Sequence, residues 1–376
     1  MTATAPGLIR RILEYDPAID TPALIVDETI MHQNIAEMAS SAKSMGVNLR
    51  PHIKTHKTPE IARLQIAAGA VGIMCAKLGE AEVFAEAGID DIAIGYQIVG
   101  EVKTRRLIKL MDMASVIVSL DSLEAAQALS GAMKRADRVI SVYVEVDSGH
   151  HRTGVPIGKQ TVDFALTIAR LPGLRLAGIM THEGHANAQP PETIREVAVA
   201  TGEAMVETAE LIRRAGVQLE TVSVGSTPCA MHTPTVAGVT EMRPGTYVFR
   251  DTSAFAYGTY GPDRCAARHL STVASRPAAD RAVLDAGAKT LSLDKSSGHP
   301  GHGYIVGYPD VIIDRLSEEH GVVRLPDGEA GFAVGDRVEI IPNHVCPSVN
   351  LHDRMRVVRD GVVVDEWRIA ARGRVQ

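Results

Sequence analysis

Between residues 49 and 251, short apolar runs alternate with amphipathic stretches, and no other feature narrows the folding options of this chain as much. The runs are LRPHIK (49–54), GIMCAK (72–77), DIAIGY (91–96), SVIVSLD (115–121), ISVYVEVD (140–147), LAGIMTHE (176–183), TVSVGST (221–227) and TYVFRD (246–251). Helical patterns such as TPEIARLQIAAGA and LGEAEVFAEAG separate most of them. Apolar strands alternating with helices read as a parallel sheet. Eight of them predict an α/β fold, a (β/α)8 TIM-like barrel, over residues 30–265. Beyond 265 the texture changes to short strands with Gly and Asp turns, as in DRVEIIP and MRVVRDGVVVDEW. Residues 266–376 therefore predict a smaller, mostly antiparallel β domain. Residues 1–29, with the strand-like TPALIVDE (21–28), are assigned to it by composition.

In a barrel, chemistry belongs where the C-terminal ends of the strands meet the loops. Lys54, Lys77, Gln97, Asp147, His182 and Ser226 fall there. The net charge is −6 and the 39 Lys and Arg residues are scattered, which argues against nucleic acid or an anionic membrane as partner. No apolar run approaches the ~20 residues of a membrane span. MTATAPGLIRRILEYDP has no apolar core after its charges and does not read as a secretory signal. Cys75, Cys229, Cys265 and Cys346 are far apart and read as reduced thiols of a cytoplasmic protein. Neither GxxxxGK(S/T) nor GxGxxG occurs, which counts against ATP and dinucleotides.

Four segments carry chemistry. In RPHIKTHKTPE (50–60), Lys54 ends an apolar strand; partial desolvation frees such an amine to hold an aldehyde cofactor as a Schiff base. A surface lysine in a basic loop is the competing reading. In VEVDSGHHRTGV (144–155), Asp147 and Arg152 flank a Gly turn, which alone describes a strand end with a salt bridge. VSVGSTP (222–228) and RPGTY (243–247) each place Gly beside hydroxyl residues; backbone amides with Ser226, Thr227 and Thr246 can cradle a phosphate there. In PNHVCPSVNLHD (342–353), His344 and Cys346 lie at i and i+2, on one face of a strand, and form a plausible Zn2+ half-site. A buried Cys near an ordinary His is the alternative. His52, His56, His150, His151, His185 and His302 are further donors that spacing does not select.

Together these segments resemble the D-serine dehydratase and D-threonine aldolase family, pyridoxal-phosphate (PLP) enzymes with an alanine-racemase-like barrel. The resemblance runs from TPALIVD at 21 to the C-terminus, with RPHIKTHKT its most specific part. It implies that Lys54 carries the cofactor, that Arg152 contacts the cofactor's phenolic oxygen, and that His182 packs near the pyridine ring. GSTP and RPGTY, with Ser226, Thr227, Gly245 and Thr246, match the phosphate turns. Arg243 precedes Pro244-Gly245 as in alanine racemase, where that arginine faces the pyridine nitrogen. The resemblance also implies a divalent metal, Zn or Mn, on His344 and Cys346, catalytic together with Lys54, a D-amino acid substrate and a homodimer. HIKTHKT, GSTP and the Cys after the metal His favour a D-serine dehydratase-like lyase giving a 2-oxo acid and ammonia. VNLHD and VVVDEW look aldolase-like, so cleavage to glycine and an aldehyde stays open. An amino-acid racemase would need a second base, for which no segment matches. A non-catalytic PLP carrier would lack the β domain and the metal pair.

Overall fold

The computed structural model describes residues 15–376 apart from 257, 259, 297, 298 and 327–331. Residues 1–14, assigned from sequence to the β domain, lie outside the described residues. The chain divides into two compact units. One holds the described residues up to Asn34 together with Val248–Arg372; the other holds Ile35–Tyr247 and Gly373–Gln376.

The second of these is the TIM-like barrel. Its strands are β1 (Asn48–Leu49), β2 (Ile73–Cys75), β3 (Asp91–Ile94), β4 (Ser115–Leu120), β5 (Ile140–Asp147), β6 (Leu174–Thr181), β7 (Thr221–Val224) and β8 (Glu241–Met242). Each pairs in parallel with its chain neighbour from β2 to β8, and β8 pairs with β1. A bridge between His52 and Met74 links β1 to β2, with the Met74 amide donating to the Pro51 carbonyl at 2.8 Å. Inside, Met74, Ala93, Tyr143, Ala177 and Met180 pack as an apolar layer. The near-continuous burial of β5 and β6 is what helices on the outer face demand.

Two strands differ from their sequence expectation. LRPHIK was expected to run as a strand through Lys54, but the continuous strand ends at Leu49, with only an isolated bridge at His52 beyond it. Pro51 has no N–H to donate, and Ile53–Thr55 form one 3-10 turn. TYVFRD was expected as the eighth strand. The eighth strand is Glu241–Met242, and Thr246–Val248 form a 3-10 turn instead. The cause lies at Gly245: a Cβ there would sit 2.9 Å from the His52 carbonyl oxygen and 3.0 Å from the Thr55 hydroxyl. The chain is therefore pressed against the Lys54 segment and turns away from the ladder.

The other unit is built on a mostly antiparallel sheet. Ala267–Ala278 pairs with Arg337–Ile341 on one side and, after register shifts, with Arg281–Leu284, which closes six strands into a small barrel. Val273, Leu284, Ile313, Val323, Phe332 and Ile340 fill it. Ala23–Asp27 pairs antiparallel with Ala267–Ala278 and parallel with Arg354–Arg359, extending the same sheet. Arg354–Arg359 and Val362–Arg368 form a hairpin whose turn, Asp360-Gly361, has positive φ at both residues (50° and 82°), the geometry that an Asp-Gly pair supplies.

A buried Arg50–Glu241 ion pair, extended to a partly exposed Asp91, ties together strands of the large barrel. The Arg50 Nε donates to Glu241 at 2.8 Å and its Nη1 to Asp91 at 2.6 Å. The side chains of Arg50 and Glu241 are 6% and 3% exposed. Removing one partner of such a pair strands the other charge. Arg50→Ala should lower unfolding stability by about 3–5 kcal/mol, read from urea denaturation.

Candidate active site

Three lysines lie near the ends of β1 and β2, and their surroundings separate them. Lys57 adopts φ +53° and is buried; its amine pairs with Glu80 at 2.6 Å. The other Glu80 oxygen accepts the amides of Ala76 at 2.6 Å and Lys77 at 3.2 Å, so that carboxylate caps the following helix as well. The Lys77 amine lies over the Tyr96 ring, 3.4 Å from its centre. Lys54 is half-buried, one 3-10 turn beyond the strand, and no carboxylate among the described residues pairs with its amine. His52 caps that turn, its Nδ1 accepting from the Lys54 amide at 3.5 Å, and its own amide donates to the Pro244 carbonyl at 3.0 Å.

The charge of Lys54 reaches His52 and His182. Burial, then Lys54, holds the His52 pKa well below the ordinary imidazole value. Burial, then Lys54, pushes that of His182 down to about 3. The His182 Nδ1 lies 2.7 Å from the Gly225 carbonyl. A carbonyl only accepts, so Nδ1 carries the proton and Nε2 keeps its lone pair. His182 is thus a neutral, flat ring with one fixed tautomer. Arg152 is exposed in the loop after β5, and its charge also lowers both histidines. The expected Asp147–Arg152 salt bridge does not form. Asp147 accepts the amides of Gly149 and His151 and pairs with the His151 ring at 3.0 Å, holding its own loop.

The two Gly turns meet. The Gly245 amide donates to the Thr227 hydroxyl at 3.3 Å, and Thr246 opens the next 3-10 turn. A Cβ on Gly225 would lie 2.9 Å from the Cβ of Arg243, so this glycine permits close packing of the two turns. Among the described residues, the amides of Ser226 and Thr227 have no hydrogen-bond partner. Arg243 is buried. Its Nη2 donates to the Thr181 carbonyl at 2.5 Å and its Nη1 to the Ser223 hydroxyl, which donates to Glu241 at 2.5 Å. Thus Lys54, Arg152, His182, Ser226, Thr227, Arg243, Gly245 and Thr246 share one end of the barrel. A half-buried amine, unsatisfied amides in a glycine turn and a flat neutral ring suit an aldehyde that carries a phosphate.

His344 and Cys346 belong to the other unit and are not on a strand. His344 is the N-cap of the short helix Val345–Asn350, and Cys346 sits in its first turn. Pro347 and the Asp251 carboxylate, which accepts the Val345 amide at 3.0 Å, favour this helical start. The two side chains still meet. Burial opposes charge on His344, yet hydrogen bonds with Cys346 and Asp294 raise its pKa to about 9. The His344 Nδ1 lies 2.6 Å from Asp294. A carboxylate on one ring nitrogen is the usual support for a metal-binding imidazole, leaving the other nitrogen as ligand. Among the described residues, no group of three or more His, Cys, Asp or Glu is arranged to hold a metal.

Sequence reasoning missed Glu183, Glu241, Arg50, Asp251 and Asp294. Glu183 stands inside THEGH and Glu241 two residues before Arg243, but acidic residues at strand ends carry no spacing signal of their own.

The profile described as "Alanine racemase, N-terminal domain" matches residues 26–253, and that described as "Putative serine dehydratase domain" matches 266–358. A D-threonine aldolase from Arthrobacter sp. is 37% identical over 94% of this chain and 93% of its own length. A D-threo-3-hydroxyaspartate dehydratase from Delftia sp. is 34% identical over 87% of this chain and 91% of its own. The crystal structure of a D-threonine aldolase from Filomicrobium marinum superposes with a TM-score of 0.88 at 34% identity, covering 95% of this chain and 96% of that one. The fold and site define a PLP-dependent enzyme built on the alanine-racemase type of barrel. Within that class the chain belongs to the lyase family of the D-threonine aldolases and D-serine dehydratases. No helix among the described residues is long and apolar enough to cross a membrane.

His56 and His182 are both held down to about 3, in each case chiefly by burial, against 6.5 for a free imidazole. Between those values the unfolded chain binds more protons, so stability is lost as pH falls from about 6.5 toward 3. The urea midpoint should drop between pH 7 and pH 4, and His182→Asn should make that drop shallower.

Proposed function

We propose that the chain is a PLP- and divalent-metal-dependent lyase acting on D-β-hydroxy amino acids, with removal of the β-hydroxyl to give a 2-oxo acid and ammonia as the leading reaction. The observation that carries it is the Lys54 amine, left without a carboxylate partner beside the joined GSTP and RPG turns. Bound PLP withdraws electrons from the substrate's α-carbon, and a bound divalent ion makes hydroxide a tolerable leaving group.

The residues of this chain do the rest. Lys54 anchors the cofactor, and its amine, once released, takes the proton from the α-carbon. The amides of Ser226 and Thr227, with Gly245 and Thr246, hold the phosphate. His182 would pack against the cofactor ring, and Arg152 would contact its phenolic oxygen. Arg243 cannot accept a proton, so a pyridine nitrogen held opposite it would stay unprotonated. An unprotonated ring would be the weaker electron sink. His344 and Cys346 hold Zn2+ or Mn2+, with Asp294 orienting the imidazole. One solved D-threo-3-hydroxyaspartate dehydratase structure is of a cysteine-to-alanine mutant in the metal-free form. The free cysteines suit a reducing cytoplasm, and the family resemblance suits a homodimer. The D-threonine aldolase relative favours a second reading, cleavage to glycine and an aldehyde, by the same residues.

Incubation with D-serine, D-threonine and 3-hydroxy-D-aspartate, with products identified by mass, tests the choice. A 2-oxo acid is expected, with L-isomers inert; glycine as the dominant product establishes the aldol reading. Cys346→Ala should lose most of the bound metal and the lyase activity while retaining PLP. Full metal occupancy with normal turnover in this variant contradicts the His344–Cys346 site.

A further inference from the structure

Glu183 is fully buried, next in sequence to His182, and the proposed reaction gives it no part. One of its oxygens accepts the Gly225 amide at 3.0 Å. The carbonyl of the same glycine accepts from the His182 Nδ1 at 2.7 Å. On its third side Gly225 packs against Arg243, where a Cβ would be 2.9 Å from the Arg243 Cβ. Two consecutive side chains after β6 therefore grip both polar groups of the residue that opens the GSTP turn. The next two amides, Ser226 and Thr227, are the ones left without partners.

We propose that Glu183 is a positioning residue that sets the affinity of this site for the cofactor's phosphate, by fixing the Gly225 peptide so that the Ser226 and Thr227 amides point at the anion. This rests on the reading of GSTP as the phosphate turn. A side chain of this length suits the task because its terminal oxygen reaches the Gly225 amide from the end of β6. Burial raises the Glu183 pKa, and the hydrogen bonds to its side chain and the Arg243 charge act in the opposite direction. A carboxylate next to a phosphate site is otherwise unfavourable, so its presence calls for a compensating role. Aspartate is one methylene too short to reach Gly225 without moving the backbone. Glutamine reaches it with its carbonyl and can turn its N–H2 toward the Thr233 hydroxyl, which lies close to Glu183.

Binding to the purified apoprotein, followed by fluorescence for PLP and separately for pyridoxal, isolates the phosphate. Glu183→Asp should weaken PLP binding roughly tenfold, the effect of one lost hydrogen bond to a charged group, and leave pyridoxal within about threefold. Glu183→Gln should stay within about threefold of the unmutated protein for both ligands, which also guards against a variant that merely unfolds. PLP binding unchanged in Glu183→Asp, or equal losses for PLP and pyridoxal, overturns the proposal. The variant Ser226→Pro, which removes one of the two amides, is the control. If it loses PLP selectively while Glu183→Asp does not, the phosphate turn stands and the role of Glu183 falls. If it leaves the ratio of PLP to pyridoxal affinity unchanged, the phosphate turn itself is wrongly assigned.

Discussion

Glu241 carries a carboxylate into the interior of the large barrel, and the geometry of the cofactor end follows from how that charge is met. An unpaired charge there would cost several kcal/mol. Arg50, just past β1, takes one oxygen, and the Ser223 hydroxyl on β7 takes the other. Ser223 has then spent its proton, so it can only accept from Arg243, which also reaches back to the end of β6 at Thr181. Arg243 is thereby fixed, and with it the surface against which Gly225 packs. The Gly225 carbonyl in turn sets the tautomer of His182. One buried charge thus acts, through hydrogen bonds and one close packing contact, on the orientation of the ring and turn at this end of the barrel.

The parallel barrel was legible because strand and helix periods alternate over two hundred residues, and no local exception erases such a pattern. What the pattern could not show was where each strand stops. Pro51 ends β1 early, and only the ladder reveals that Lys54 stands on a turn. Val248 and Phe249 look like a strand because they are buried, but the close approach of Gly245 to His52 bends the chain before them. His344 and Cys346 were paired on the premise of strand alternation. They meet because a helix N-cap and its first turn are equally close, so the pairing survives a different local structure. Glu183, Glu241 and Asp251 were invisible as functional residues because their roles depend on partners tens of residues away, which only the fold brings near.

Relatives bearing dehydratase and aldolase names align along nearly the whole chain. Both reactions need the same amine, the same anion-binding turn and the same electron withdrawal from the α-carbon. They part only in which bond to the β-carbon breaks. On the proposed assignment, Lys54 and the phosphate turn serve both reactions, whereas Arg243 bears on the division between them.

The account rests on Lys54 as the cofactor lysine, because Lys57 is committed to Glu80 and Lys77 to the face of Tyr96. Borohydride reduction of the PLP-loaded protein, followed by proteolysis and mass spectrometry, tests this most directly. The account predicts a stable phosphopyridoxyl group on the peptide bearing Lys54 alone. The same group on Lys57 or Lys77, with Lys54 unmodified, would contradict it.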